Sequence, residues 1–244
     1  MKNILLVETS SALGGVSLVE TDDEFENSKL RDFLDWEKTQ SHSEVITSAV
    51  KLLLDRSQID LKNIDLYAVS TGPGSFTGIR VGLNMLKAFA YAFDKPLFCY
   101  SSLEALALSS EPQELPILCL NNAFKNSIYA AKYSWSPQNG LSEEVEPQVI
   151  SPVQVRPLIE GPSLVLGDAY DLYHSLFPRD VLSFIKRDKA QPDSPQVQIF
   201  SPRLAFHSTR HPKNHWKSVQ ALYIRPSEAE EKLKMGLLKP LPRF

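Results

Sequence analysis

The stretch "STGPGSFTGIRVG", Ser70 to Gly82, packs four glycines and a proline into thirteen residues. The apolar "DLYAV" before it reads as a buried strand, and "LNMLKAFAYAF" after it reads as a helix. A glycine-rich turn from strand to helix either cradles a phosphate or lets two backbones meet. The phosphate templates fit poorly. A P-loop needs Lys and then Ser or Thr directly after its last glycine, whereas Gly78 is followed by Ile79 and Arg80. A dinucleotide fingerprint needs G-x-G-x-x-G, whereas Gly72, Gly74 and Gly78 are spaced G-x-G-x-x-x-G. Weak anion affinity stays open, because helix-start amides and Arg80 both favour negative charge. Packing accounts for more residues. Ile79, Leu83, Leu86, Ala90 and Phe93 recur at helical spacing as one apolar stripe. Gly78 and Gly82 stand one turn apart, which predicts a smooth groove for a second helix.

The elements around this turn form a mixed pattern. "ILLV" (Ile4 to Val7) is continuously apolar, as in a strand buried on both faces, and "VSLVE" reads as its antiparallel partner. A third strand falls within Leu30 to Glu37. Ser41 and Glu44 form a capping box that opens a helix through "EVITSAVKLLLDR". "PLFCYS" is a last strand, and Ser101 with Glu104 caps a short helix. Three strands followed by α-β-α-β point to a mixed sheet covered by helices. In the helix after Ser41, Val45, Ala49, Leu52 and Leu53 can face the sheet while Ile46, Val50 and Leu54 extend the apolar surface. Val81, Met85 and Phe89 widen the second helix likewise. Two adjacent helices with surplus apolar surface fit either an interface or a thick core.

Proline usage then changes. Of 17 prolines, only Pro73 and Pro96 fall in the first hundred residues. We place a lobe boundary near residues 101 to 112 and expect a first lobe over 1–105, a second over 106–226, and a C-terminal helix and tail over 227–244. In the second lobe, "LPILCL", "SIYAAKYS", "SLVLG" and "ALYIRP" read as strands and "SPQNG" as a turn. Ser151-Pro152 with Gln154 reads as a helix start that Pro157 must cut short. Ser227 and Glu230 cap the final helix.

The totals exclude several classes. At 43% hydrophobic, 23% charged and net charge −3, the chain is ordinary for a globular protein and carries no strong field toward nucleic acid or membrane. Cys99 and Cys119 sit in apolar runs, as buried thiols of a reducing compartment do. "MKNILLVETS" is too short in apolar residues for a signal-peptide core, so a cytoplasmic location without membrane contact is expected. His207, His211 and His215 are spaced by four, but Pro212 interrupts the helix that would align them on a metal, so no metal site is expected. Arg203, Arg210, Lys213 and Lys217 lie in a stretch without acids that is either solvated or touches RNA phosphates. His42 has serines and Glu44 nearby, but no G-x-S-x-G elbow exists and helix capping explains Ser41 and Ser43.

The ordered set "ILLVETSS…GGVSLVE", "QSHSEVITSAVKLLL", "STGPGSFTGIRVGLNMLKAFAYAF" and "PLFCYSSLEALA" resembles the bacterial TsaB (YeaZ) family over about residues 1 to 108. Beyond that the likeness thins to "SIYAAKY", "VLGDAY" and "ALYIRP". The resemblance implies an α/β, two-lobed actin/hexokinase/Hsp70-like (ribonuclease H-like) fold with a reduced second lobe. It implies a non-catalytic scaffold or dimerisation subunit in tRNA N6-threonylcarbamoyladenosine (t6A) synthesis. Such a subunit pairs with TsaD, which transfers threonylcarbamoyl to the adenosine beside the anticodon of ANN-decoding tRNAs. A TsaE-like ATPase docks on that pair, the chain alone can form a homodimer, and tRNA is met only indirectly. The implied interface carries over to Val45, Ile46, Ala49, Val50, Leu53, Phe76, Gly78, Ile79, Gly82, Leu83 and Leu86. No cofactor is implied, ATP or ADP with magnesium belonging to the partner or to the interface of the complex. The alternative is an ATP-binding enzyme of the same superfamily, with Glu8, Thr9, Gly74 and Ser75 around phosphate. Three departures bear on this. Glu8 stands where the superfamily's first strand ends in Asp, Asn122-Ala123-Phe124 replaces a frequent Asp-Ala-Arg, and "GDAY" replaces Gly-Asp-Gly.

Overall fold

The computed structural model describes residues 1–37, 41–136, 140–188, 190–207 and 216–224. The expected final helix, the "SPQNG" turn and most of the His207–His215 stretch lie outside the described residues.

The first half builds as its sequence pattern requires. β1 (Lys2–Glu8) is buried from Ile4 onward and sits in the middle of its sheet. It pairs antiparallel with β2 (Leu13–Thr21), which pairs antiparallel with β3 (Lys29–Glu37). The chain then crosses through α1 (His42–Ser57), β4 (Leu66–Ser70), α2 (Phe76–Ala92), β5 (Leu97–Tyr100) and α3 (Ser102–Leu108). β4 lies parallel to β1 and β5 parallel to β4, giving the order β3-β2-β1-β4-β5. The Ser41–Glu44 capping box starts α1, and the Ser101 hydroxyl accepts the Leu103 amide at the start of α3.

The second half repeats this topology in a smaller form. β6 (Ile117–Asn122), β7 (Ile128–Ser136) and β8 (Gly140–Ile150) form an antiparallel meander. β9 (Ser163–Leu166) and the two-residue β10 (Ile185–Lys186) then add parallel to β6. The order β8-β7-β6-β9-β10 is that of the first sheet. Where α1 crosses in the first lobe, the second has only two 3₁₀ turns, Pro152–Gln154 and Arg156–Leu158. Pro157 explains this: five residues after the start at Pro152, it withholds an amide that a continuing helix needs. The counterpart of α2 is the five-residue α4 (Ala169–Tyr173).

Two expectations need correction. β8 was not anticipated, because its charged run and Pro147 hide the alternation; it is an edge strand, where proline is tolerated. The strand expected at "ALYIRP" is absent over Ala221–Ile224, where the Tyr223 amide turns back to Ala221 O at 3.1 Å and no ladder forms.

α5 (Val197–His207) returns from the second half and packs against β2, β3 and α3. With α3 it fills the space between the sheets. A single apolar cluster includes Ile4, Leu6 and Tyr100 of the first sheet, Leu106 of α3, Phe200 and Leu204 of α5, and Cys119, Ala131 and Leu166 of the second. The layers therefore run α1/α2, first sheet, α3/α5, second sheet, α4 with its 3₁₀ turns. Among the described residues, no helix is long and apolar enough to cross a membrane. Phe200 is fully buried with its ring 5.6 Å from that of Tyr100. Phe200→Ala should destabilise the protein by about 3–5 kcal/mol. Because the core is shared, circular dichroism and fluorescence should report one coincident urea transition.

Candidate functional site: the interlobe cleft and the outer helical face

Equivalent loops of the two lobes face each other across a cleft of about 610 Å³. Ser10–Ala12 follow β1, and Gly74–Thr77 form the turn and first residues of α2. From the second lobe come Asn121–Lys125 at and beyond the end of β6, and Asp168 after β9. All lie at the carboxyl ends of strands, where ligand crevices form in α/β folds.

The glycine turn is shaped by its own chain. A Cβ at Gly74 would collide with the Ser10 carbonyl, and one at Gly78 with that of Thr9. A Cβ at Gly82 would stand 2.6 Å from Thr9 Oγ1 and 3.1 Å from Val7 Cγ1. The Ser75 amide donates to Ser10 O at 2.7 Å, and the Thr9 hydroxyl donates to Gly78 O at 2.8 Å. The expected groove for a second helix is thus already filled by the end of β1.

Of the residues considered for phosphate, Gly74 and Ser75 line the cleft, but Glu8 and Thr9 do not. Glu8 is fully buried; its Oε1 accepts the Ser10 amide at 2.7 Å, and its Oε2 has no hydrogen-bond partner. Burial pushes its carboxyl up from 4.5, and hydrogen bonds from Ser10 and neighbours offset this only in part. Ser75 caps α2, its hydroxyl accepting the Gly78 amide at 3.3 Å.

The second-lobe wall shows what the departures do. Asn122 Oδ1 accepts from the Phe124 backbone amide at 2.8 Å and from the Tyr173 hydroxyl at 2.9 Å, while the Asn122 backbone amide donates to Asp168 Oδ1 at 2.8 Å. Phe124, Lys125 and Asn126 all take positive φ, and Phe124 is left 71% exposed at the rim. Burial raises the Asp168 carboxyl above its usual range. Behind it the Arg187 guanidinium, only 8% exposed, clamps Asp171 at 2.9 Å and also Asp193 of the cleft wall. Sequence reasoning missed Asp168, Tyr173 and Arg187. "GDAY" marked the loop, but nothing local marks Arg187.

The expected interface residues divide by depth. Ile46, Ala49, Val50 and Leu53 of α1, and Gly78, Ile79, Gly82, Leu83 and Leu86 of α2, are buried against the first sheet or β1. Val45 and Phe76 are partly exposed. Ile46, Val50 and Leu54 therefore serve the core, whereas Leu52 is 50% exposed. The apolar residues reaching the outer side are Val45 and Leu52 on α1 and Val81, Met85 and Phe89 on α2, with Tyr91 69% exposed at the far end. α2 carries no acid between Phe76 and Ala92. Beside it run residues 216–224, Val219 buried in the helix-side core.

His42 is structural. Its Nδ1 accepts from Trp36 Nε1 at 3.1 Å, which leaves Nε2 to donate to Ser11 O at 2.9 Å. Among the described residues no cluster could hold a metal. Cys119 is buried and Cys99 partly so, both unbridged.

A family profile described as TsaD, tRNA N6-adenosine threonylcarbamoyltransferase, matches residues 37–169. The chain belongs to this family. Its relatives include proteins of the TsaB (YeaZ) type. It is 30% identical over 144 residues to the tRNA threonylcarbamoyladenosine biosynthesis protein TsaB of Bacillus subtilis, covering 59% of each chain. It is 31% identical over 117 residues to the tRNA N6-adenosine threonylcarbamoyltransferase of a Wolbachia species, covering 44% of this chain and 35% of that one. The chain thus spans 59% of the first relative and about a third of the second. YeaZ from Pseudomonas aeruginosa superposes with a TM-score of 0.76 at 20% identity, covering 91% of this chain and all of that one. A second Pseudomonas aeruginosa structure, described as similar to peptidase YeaZ, gives 0.78 at 20% identity over 92% of this chain. These two likenesses establish that the chain has the two-lobed fold of YeaZ.

Because the folded protein favours the protonated Glu8 carboxyl, the contribution of this group to stability is fully present below about pH 4.5 and is lost as pH rises through the raised pKa. Glu8→Gln should flatten that decline, seen as a smaller difference between urea midpoints measured at about pH 4 and about pH 8.

Proposed function

We propose that this chain is the non-catalytic scaffold subunit of a t6A-forming complex. Its α1/α2 face pairs with a TsaD-like transferase, which modifies the adenosine beside the anticodon of ANN-decoding tRNAs. A TsaE-like ATPase then docks on the pair, in the cytoplasm, and tRNA is met through the partner. The observation that carries this reading is the outward row of Val45, Leu52, Val81 and Met85 on two adjacent helices. A large aliphatic side chain left half in water at the crest of such a pair is best accounted for by burial against a second helical surface. The pairing surface is thus the outer edge of the expected set, and Ile46, Val50, Gly78 and Gly82 support it from beneath. The same face could pair two copies when the partner is lacking.

The scaffold role is supported by Glu8. A carboxylate that serves phosphate and metal must reach the cleft, and this one is turned into the core. The competing reading, an ATP-using enzyme, draws on the cleft itself, whose wall includes Ser10, Ser11, Gly74 and Ser75. Titration with Mg-ATP separates the two: binding with turnover by the isolated chain favours the enzyme.

Leu52→Asp and Met85→Asp should keep the wild-type circular dichroism but weaken binding to the TsaD-like protein of the same organism by at least about tenfold, as central interface substitutions do. Unchanged affinity in both would remove the pairing face. In a reconstituted reaction, Glu8→Gln should leave tRNA modification largely intact. Loss of activity with folding preserved would place the first lobe in the chemistry.

A further inference from the structure

Residues 216–224 run alongside α2 in the opposite direction, as neither helix nor strand. Trp216 meets Tyr91 near the end of α2, ring centroids 5.0 Å apart. One turn back, Lys87 Nζ donates to the Val219 carbonyl at 3.0 Å, and the Val219 side chain is buried. At the start of α2, Tyr223 packs on Phe76 at 4.9 Å and its hydroxyl accepts Arg80 Nε at 2.7 Å. The Leu222 amide donates to Thr71 O at 2.8 Å, at the root of the glycine turn. Leu222, Tyr223 and Ile224 also form part of the cleft wall.

Resting on the pairing face argued above, we propose that this segment is a detachable strap that competes with the partner for α2. The competition is for particular side chains. Arg80, Asn84 and Tyr91 stand at i, i+4 and i+11, so they share one stripe of the helix, and all three are exposed. Arg80 and Tyr91 are the two ends by which the strap is held. A helix packing across the outer face would meet this stripe, and each side chain can turn toward the strap or toward the partner. The strap is also suited to leave. It is held by side-chain contacts and by one backbone-to-backbone bond, from the Leu222 amide to Thr71 O, rather than by a ladder, so it opens without disturbing the sheet. Its departure uncovers the seat of Val219 and the Phe76 ring, apolar surface that a partner can cover again. It also removes Tyr223 from the cleft wall, so docking on α2 and opening of the cleft become one event.

The test uses the full chain with Val219→Asp and Tyr223→Ala, two ways of lifting the strap. In the isolated variants, the Leu222 amide should exchange faster than in wild type and a hydrophobic-surface dye should bind more strongly, with circular dichroism unchanged. Both variants should bind the TsaD-like protein about tenfold more tightly, since the covered population no longer subtracts from the competent one. In the wild-type complex the Leu222 amide should lose its protection. Equal or weaker binding by the variants, or a Leu222 amide as protected in the complex as outside it, overturns the strap. Failure of wild type and both variants alike to bind at all overturns the pairing face. The dye and exchange readings on the isolated chain then still decide whether the strap lifts: unchanged values in both variants reject it.

Discussion

α2 can lie where it does only because glycine occupies the positions that touch the first hairpin. Ser10 and Thr9 present their carbonyls at the places a side chain on Gly74 or Gly78 would occupy, and Thr9 Oγ1 does the same at Gly82. In exchange the turn gains two cross-links, from the Ser75 amide to Ser10 and from the Thr9 hydroxyl to Gly78. Glycine within a helix costs about 0.5–1 kcal/mol against alanine, which close packing at three successive contacts can offset. Everything nearby inherits this contact. It sets the height of α2 over β1, and with it the floor of the cleft and the level of the outer face.

The second lobe repeats the strand order with shorter connections, and the difference is chemical. Pro157 stops the segment that starts at Pro152, so two 3₁₀ turns stand in place of a long crossover helix, and α4 makes little more than one turn. The cleft keeps its four-loop geometry with altered side chains. Asn122 accepts two hydrogen bonds inside its own lobe, and Asp168 is tied to the Asn122 amide. Arg187 faces Asp171 and Asp193 rather than the open space. Asn122, Asp168 and Arg187 thus spend their polar groups on neighbours, which suits a lobe that supports structure.

Much of the first lobe was legible, because its signals are local. A continuous apolar run marks β1, the capping box marks α1, and the glycine turn marks the junction of β4 and α2. The phase of α1 was not legible. Apolar residues occupy more than half its circumference, so sequence cannot tell Leu52 from Ile46 or Val50 as the outward residue. β8 was hidden for the opposite reason: an exposed edge strand needs little apolar alternation and can hold Pro147. The strap and Arg187 were invisible because their partners lie far along the chain, Tyr223 meeting Arg80 and Arg187 meeting Asp171 only after folding.

By itself the sequence determined the order and type of the first-lobe elements, the shortening of the second lobe by its prolines, and the family likeness carried by the glycine turn. These depend on neighbours within a turn or two, where steric and hydrogen-bonding rules act on adjacent residues. Only the tertiary structure decided that the glycines serve β1 rather than another helix, that Glu8 faces inward, and which apolar side chains reach water. Those outcomes are set by contacts between segments distant in the chain, and burial is a property of such contacts rather than of any residue alone.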